Sequence, residues 1–461
     1  MNSKLEQADS PLVVRIKNLT ELVDANGKTK PTLVSLAQHY FETAPALTAE
    51  INTLALEINE VKTHRANQKL LDELTEKYNQ KVALHDKALL ERNQHLQRIV
   101  RIILDLCEGE TYFETQNSTA RVLGTLFLLT RENNPGYARQ HQRLRPLYKA
   151  ILALRLVDKI LADDALKHPY LLKHRGLLGR FDDHEKMYEW TQYIAVPVIT
   201  AALLQDIGLN HKAAQDILVG KQGKLDPFRE ISDAERKQLL QLNYQYTVTY
   251  LKDALTPEEA FGSKEGHAFA LEIIQNTFIG KIGIGDIIKI PQVYASFVLS
   301  TKAAYSRASI PKSYILIEQL SKQQNVSRRL TEYFISMVGH FPIGFGVCFI
   351  PVGDDGKEKD HYEYAIVTRL NPEKPDEPIC KVVSRQQQFC SPTTEVRIPA
   401  ERNLYYDKSK QKLMTMDRER MAEIMSLLRK NFTMDDVDNH IPAYWEAHEF
   451  YADKKNQIIW R

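Results

Sequence analysis

The stretch from Leu47 to Glu108 contains neither glycine nor proline, and this limits the chain more than any other feature. With no helix breaker present, the spacing of apolar residues decides its structure. Ile51, Leu54, Ile58 and Val61 recur at steps of three and four, as do Leu71, Leu74, Tyr78 and Val82. Leu89, Leu96 and Ile103 extend the second series one heptad at a time. Such residues line one stripe of a helix. The polar patch from Thr63 to Gln68 interrupts the stripe. The sequence therefore predicts two long helices, or one bent helix, packed as an antiparallel pair or as a dimer coiled coil.

Residues 111–200 also read as helical, with breaks at Asn133-Asn134-Pro135-Gly136 and His168-Pro169 and a helix from about Leu144 to Leu161. The run from Trp190 to Leu204 is almost wholly apolar after Gln192, which predicts a helix buried on all sides and bent by Pro197. Helices separated by glycine-containing loops continue to residue 335. Past Phe341-Pro342-Ile343-Gly344 the texture changes to short β-branched runs near Val347, Tyr364, Ile379 and Glu395. Turn clusters at Gly353–Gly356 and Asn371–Pro378 separate them, so a small antiparallel β module is expected. Pro11–Ile16 reads as a short strand and Asp24–Lys28 as a turn. A helix over Arg418–Phe432 and an aromatic tail close the chain. The expected fold is mainly α: an N-terminal segment (1–46), a helical, coiled-coil-like domain (47–165), a second helical domain (166–338), the β module (339–400) and a helical tail (401–461).

Composition excludes several classes. Lys and Arg number 61 and Asp and Glu 59, a net charge of +2 that lacks the basic bias of a nucleic-acid binder. Cys107, Cys348, Cys380 and Cys390 form no CxxC pair, which argues against a zinc ribbon and a disulfide scaffold and reads Cys380 and Cys390 as buried thiols. The first residues have no apolar signal core, and no apolar run reaches bilayer length, so a cytoplasmic protein without a membrane span is expected.

The segment from Ile199 carries the chemistry. An apolar helix ends in Ala201-Ala202-Leu203-Leu204, followed by Gln205-Asp206-Ile207-Gly208-Leu209. Lys221-Gln222-Gly223-Lys224-Leu225 comes next, then a helix opening at Ala234-Glu235-Arg236 and reaching Asn243. Further on come Ile288-Lys289-Ile290-Pro291-Gln292 and Phe341-Pro342-Ile343-Gly344. In order and spacing, residues 170–385 resemble the HD-GYP branch of the HD metal-phosphohydrolases. That resemblance implies a helical domain that hydrolyses cyclic di-GMP at a site of two or three metals, divalent iron or manganese if active. It places metal-site positions at His174, Gln205, Asp206, Asn243 and Gln292 and the catalytic lysine position at Leu209.

The departures from the family pattern bear directly on catalysis. Carboxamides are neutral, weak ligands where imidazole or carboxylate is wanted. Gln205, Asn243 and Gln292 hold three of the ligand positions, and the Gly-Tyr-Pro signature is absent. One carboxylate cannot hold a binuclear centre that activates a bridging water. The expectation is a catalytically inactive HD-GYP-like protein, with no catalytic residue and no cofactor, that regulates or binds partners in bacterial cyclic di-GMP signalling. Its partner would be a GGDEF or EAL protein, or a second copy in a homodimer, with no role for nucleic acid or a membrane. Asp206 then reads either as a relic hydrogen-bonded by the Gln205 and Asn243 carboxamides or as a ligand of a weakened mononuclear site.

Two alternatives arise from the same resemblance. An active phosphohydrolase needs further ligands to converge on Asp206, drawn from His174 or His184 and His211 or His267. A non-hydrolytic nucleotide sensor needs a basic pocket near Lys221, Lys224, Lys281 and Lys289. The glycines of Gly280–Gly285 lack phosphate-loop spacing and read as a loop between helices. His440 and His448, two helical turns apart, read as parts of an ordinary tail helix.

Overall fold

A computed structural model describes residues 8–25, 30–64, 68–132, 134–163, 165–280, 282–384, 388–389, 395–413, 418–428, 433 and 441–460. The expected turn at Asn26-Gly27, Lys281, Cys390 and His440 lie outside the described residues. The fold is mainly α with a small antiparallel sheet. Contacts divide it into two units of separated stretches: Met1–Asn18, Leu104–Lys167 and Asp286–Arg461 form the first, Leu19–Ile103 and His168–Gly285 the second. Residues 47–103 and 104–165, expected as one domain, thus belong to different units.

In the second unit the Gly- and Pro-free stretch folds as expected, into the helices Leu33–Thr63 and Gln68–Cys107. Glu50 and Lys81, 2.5 Å apart, lie opposite each other across the antiparallel pair. The first of these helices starts earlier than the apolar stripe suggests and runs through an exposed Pro45. A capping box at Thr32 and Ser35 starts it, each side chain accepting the other's backbone N–H. Pro11–Ile16 is not a strand: it opens the helix Pro11–Val23. Val13, Ile16, Leu19 and Val23 are all buried, and that spacing suits one helical face rather than alternate faces of a strand.

The apolar run His184–Asn210 is long and apolar enough to cross a membrane by length and composition, but 72% of its core window is buried inside the fold. A π-helical turn, Thr191–Ala195, precedes Pro197 and absorbs its missing N–H. Residues Pro197–Leu204 are buried all round, as the composition predicts.

In the first unit the helix Tyr137–Asp163 is the hub, and the helices Tyr112–Leu128, Asp286–Val298 and Arg328–Val338 pack on it. Its residues from Leu147 to Val157 are buried without interruption. Each fully buried aliphatic side chain there contributes about 1.5–3 kcal/mol. The sheet comprises β1 (Gly346–Phe349), β2 (Glu363–Val367), β3 (Ile379–Ser384), β4 (Gln388–Phe389), β5 (Glu395–Arg397) and β6 (Tyr444–Trp445), in the order β4-β3-β2-β1-β6, with β5 also paired to β3. The tail is therefore not wholly helical, because β6 returns to the sheet against β1. Gly346 permits that return: a Cβ there would lie 2.1 Å from the Trp445 carbonyl oxygen.

A buried polar network closes this unit. The Arg307 guanidinium donates to the Phe127 and Thr130 carbonyls at 3.0 and 2.7 Å and pairs with Glu446 at 2.6 Å. His141, fully buried, sits beside it. Its Nδ1 must carry the proton it gives to the Ser300 carbonyl at 2.6 Å, which leaves Nε2 as acceptor toward the Thr130 hydroxyl at 3.0 Å. Burial, reinforced by Arg307 and Arg145, lowers its pKa to about 4, against a smaller opposing effect of the Ser300 bond. The unfolded chain binds this proton below about pH 6.5 while the folded chain does not, so this contribution is complete above that pH and fades toward pH 4. Unfolding free energy from urea titration is expected to fall by about 2 kcal/mol from this group between pH 7 and pH 5. A His141→Gln variant is expected to lose that increment of pH dependence.

Candidate functional site

Four of the positions singled out by the sequence, Gln205, Asp206, Leu209 and Asn243, come together at a turn in the second unit. The buried helix Val196–Leu204 ends at Gln205-Asp206, a short 3-10 turn covers Ile207–Asn210, and the helix Asp233–Asp253 passes beneath. Gly208 makes the approach possible. A Cβ there would sit 2.4 Å from the Asn243 carbonyl oxygen and 2.7 Å from the Thr247 backbone nitrogen, so only glycine lets the turn rest on the helix backbone.

Hydrogen bonds then lock the turn down. The Gly208 N–H donates to the Thr247 hydroxyl oxygen at 3.0 Å. The Thr247 hydroxyl reaches the Gln205 carbonyl at 3.2 Å and Asn243 Oδ1 at 3.1 Å. Asn243 Nδ2 donates to Asp206 Oδ1 at 3.1 Å. Asn243 and Gln205 are buried and Asp206 half-buried. The Asn243 carboxamide uses both ends, accepting from Thr247 and donating to Asp206, which stabilises a carboxylate that burial would otherwise penalise.

His174 is buried against aromatic rings, stacked on Tyr193 at 5.0 Å and tilted against Tyr170 at 4.7 Å. Burial holds its pKa down, and the Lys173 charge adds to that effect. Its Nε2 has no hydrogen-bond partner among the described residues. Leu209 puts an apolar side chain at the lysine position, and its carbonyl accepts from Gln215 Nε2 at 2.7 Å. Gln292 lies on the helix Asp286–Val298, in the first unit.

The other histidines have separate duties. His211 Nδ1 accepts the Ala213 N–H and so caps the helix Lys212–Leu218, while its ring stacks on Tyr246 at 3.4 Å. Burial lowers its pKa. His267 Nε2 meets the Leu251 carbonyl at 3.0 Å, and His184 is exposed at the start of the helix His184–Trp190. Among the described residues no three His, Cys, Asp or Glu side chains are grouped to hold a metal. The donor set at Asp206, one carboxylate and neutral amides, does not fit a pair of divalent iron or manganese ions. Lys221 and Lys224 are exposed on a loop of the second unit, whereas Lys289 is in the first and donates to the Asn325 carbonyl at 2.5 Å.

Thr247 is the member the sequence reading missed. It stands four residues after Asn243, on the same helix face, and that spacing was the available signal. Compared with known family models, curated proteins and solved structures, the chain matches none.

Replacing Asn243 with Leu removes the donor to Asp206 and the acceptor for Thr247 together. It is expected to lower stability by about 1–3 kcal/mol, read as a reduced urea midpoint at unchanged m. Gly208→Ala, which forces the turn off the helix, is expected to cost at least as much.

Proposed function

We propose that this chain is a catalytically inactive HD-GYP-like protein that acts by binding a protein partner, a GGDEF or EAL protein, in bacterial cyclic di-GMP signalling. The observation that carries the reading is the hydrogen bond from Asn243 to Asp206. The resemblance assigns both positions to one metal site, and they are in contact across 37 residues of sequence. What joins them is an amide–carboxylate hydrogen bond. On this reading the site keeps the positions of a metal phosphohydrolase but not the donors, and without a metal-activated water it lacks the nucleophile for phosphodiester cleavage. A scaffold retained without its chemistry supports a binding role, in which the exposed surface rather than the pocket does the work.

Elemental mass spectrometry on the full chain, purified without chelator, is expected to find no iron, manganese or zinc above background. Cyclic di-GMP incubated with the protein and added manganese is expected to remain intact. Restoring imidazoles in Gln205→His/Asn243→His, beside Asp206, is expected to bring uptake of a metal ion in a protein whose circular dichroism is unchanged. Stoichiometric metal with cyclic di-GMP turnover in the parent chain would sink the proposal. So would a folded double variant that takes up no metal, because the positions would then not form an HD-type site. Co-purification with GGDEF or EAL proteins from the same cell tests the partner directly.

A further inference from the structure

The first unit holds a small cavity of about 60 Å³ between the helix Tyr112–Leu128 and the sheet. Asn117 and Arg121, one helical turn apart, line one side. Thr368, Arg369, Lys381 and Glu395 line the other. The sheet register makes the cluster: Lys381 on β3 is the cross-strand neighbour of Glu395 on β5, and Thr368 and Arg369 directly follow β2. The cavity has room for about four or five water-sized groups. That suits a tetrahedral oxyanion and falls well short of the roughly 300–1,000 Å³ of a nucleotide-sized pocket.

Its charge is unbalanced. Arg369 Nε donates to both Glu395 carboxylate oxygens at 2.8 Å, and the Thr368 hydroxyl reaches the same carboxylate at 3.3 Å. Lys381 is 6% exposed, with its ammonium donating to the Ile459 carbonyl at 2.9 Å. Burial lowers the Lys381 pKa; Glu395 opposes this, while the charges of Arg369 and Arg121 add to it. Arg121 is exposed and makes no hydrogen bond or ion pair among the described residues. Among the described residues that line the cavity, three cations thus face one carboxylate, an excess of two positive charges.

A phosphate group near neutral pH carries close to two negative charges and offers acceptors on every face. Guanidinium groups suit it through their paired donors, an ammonium suits it as a point charge, and the Asn117 amide and Thr368 hydroxyl add neutral donors. We propose that this cavity binds a dianionic phosphate group, either inorganic phosphate or the terminal group of a phosphomonoester. The site is independent of the reading at Asp206, since all of its residues belong to the first unit.

Calorimetric titration of the full chain with inorganic phosphate, and separately with phosphoserine, tests this at ionic strength held constant with chloride. Saturable binding in the micromolar to millimolar range is expected. Sulfate is expected to compete and acetate not. Arg121→Gln, a surface change that leaves the core intact, is expected to weaken binding about tenfold. Glu395→Gln removes the one carboxylate and is expected to tighten it, an effect that a purely structural cluster would not show. Binding of both probes assigns the site to phosphomonoesters, and binding of inorganic phosphate alone assigns it to the free ion. No heat with either probe, or binding unchanged in Arg121→Gln, overturns the proposal.

Discussion

Arg307 is a buried cation, 2% exposed, and its guanidinium ties the end of one helix to the tail of the chain. A helix that ends inside a protein leaves carbonyls without donors. The helix Tyr112–Leu128 ends that way, and Arg307 supplies donors to Phe127 and Thr130 while its guanidinium lies over the Phe127 ring at 4.1 Å. Glu446 balances the charge, and Glu132 accepts both the Arg307 backbone N–H and the Tyr444 hydroxyl. These bonds bring the tail to the sheet. A two-residue strand such as β6 has negligible stability alone. It is held by Tyr444 and Glu446, on either side of Trp445, and by the Trp445 Nε1 bond to the Ala365 carbonyl at 2.9 Å. The sixth strand thus depends on a buried ion pair as much as on its own ladder.

The same rule, that a buried polar group must find a partner, accounts for the turn at Asp206. Here Asn243 supplies that partner as a hydrogen bond, and the other end of the same carboxamide is engaged by Thr247, which in turn anchors Gly208. An apolar residue at position 243 would take one hydrogen bond from each of Asp206 and Thr247. A carboxamide serves both neighbours at once, which explains a polar residue at this buried position.

What was legible in the sequence depends on the range over which each signal acts. The helical hairpin was legible because its stripe persists over many turns, so one period dominates. Pro11–Ile16 was misread because a window of six residues cannot separate a strand from a buried helix; the decisive residues, Leu19 and Val23, lie beyond it. The contact between Asp206 and Asn243 was legible as motif order, since both belong to one local stretch of the second unit, 37 residues apart. Gln292 was assigned by order alone, and order carries no tertiary information once the chain has crossed into another unit. The π turn before Pro197, the strand β6 and the discontinuous units had no local signal. Each depends on partners distant in sequence, as the Arg307–Glu446 pair, 139 residues apart, illustrates.

Net charge has a similar limit. A value of +2 is a sum over the chain, and it argues against a long polyanion, whose binding requires a positive surface of comparable extent. It says nothing about a cavity where strand register and one helical turn bring Arg121, Arg369 and Lys381 around Glu395. The electrostatic energy of so small a cluster is set by neighbours within a few ångströms and by the exclusion of water, and distant acidic residues are screened beyond about 10 Å. Net charge therefore does not predict how a small cluster of this kind treats an anion, because the cluster exists only once the sheet has formed.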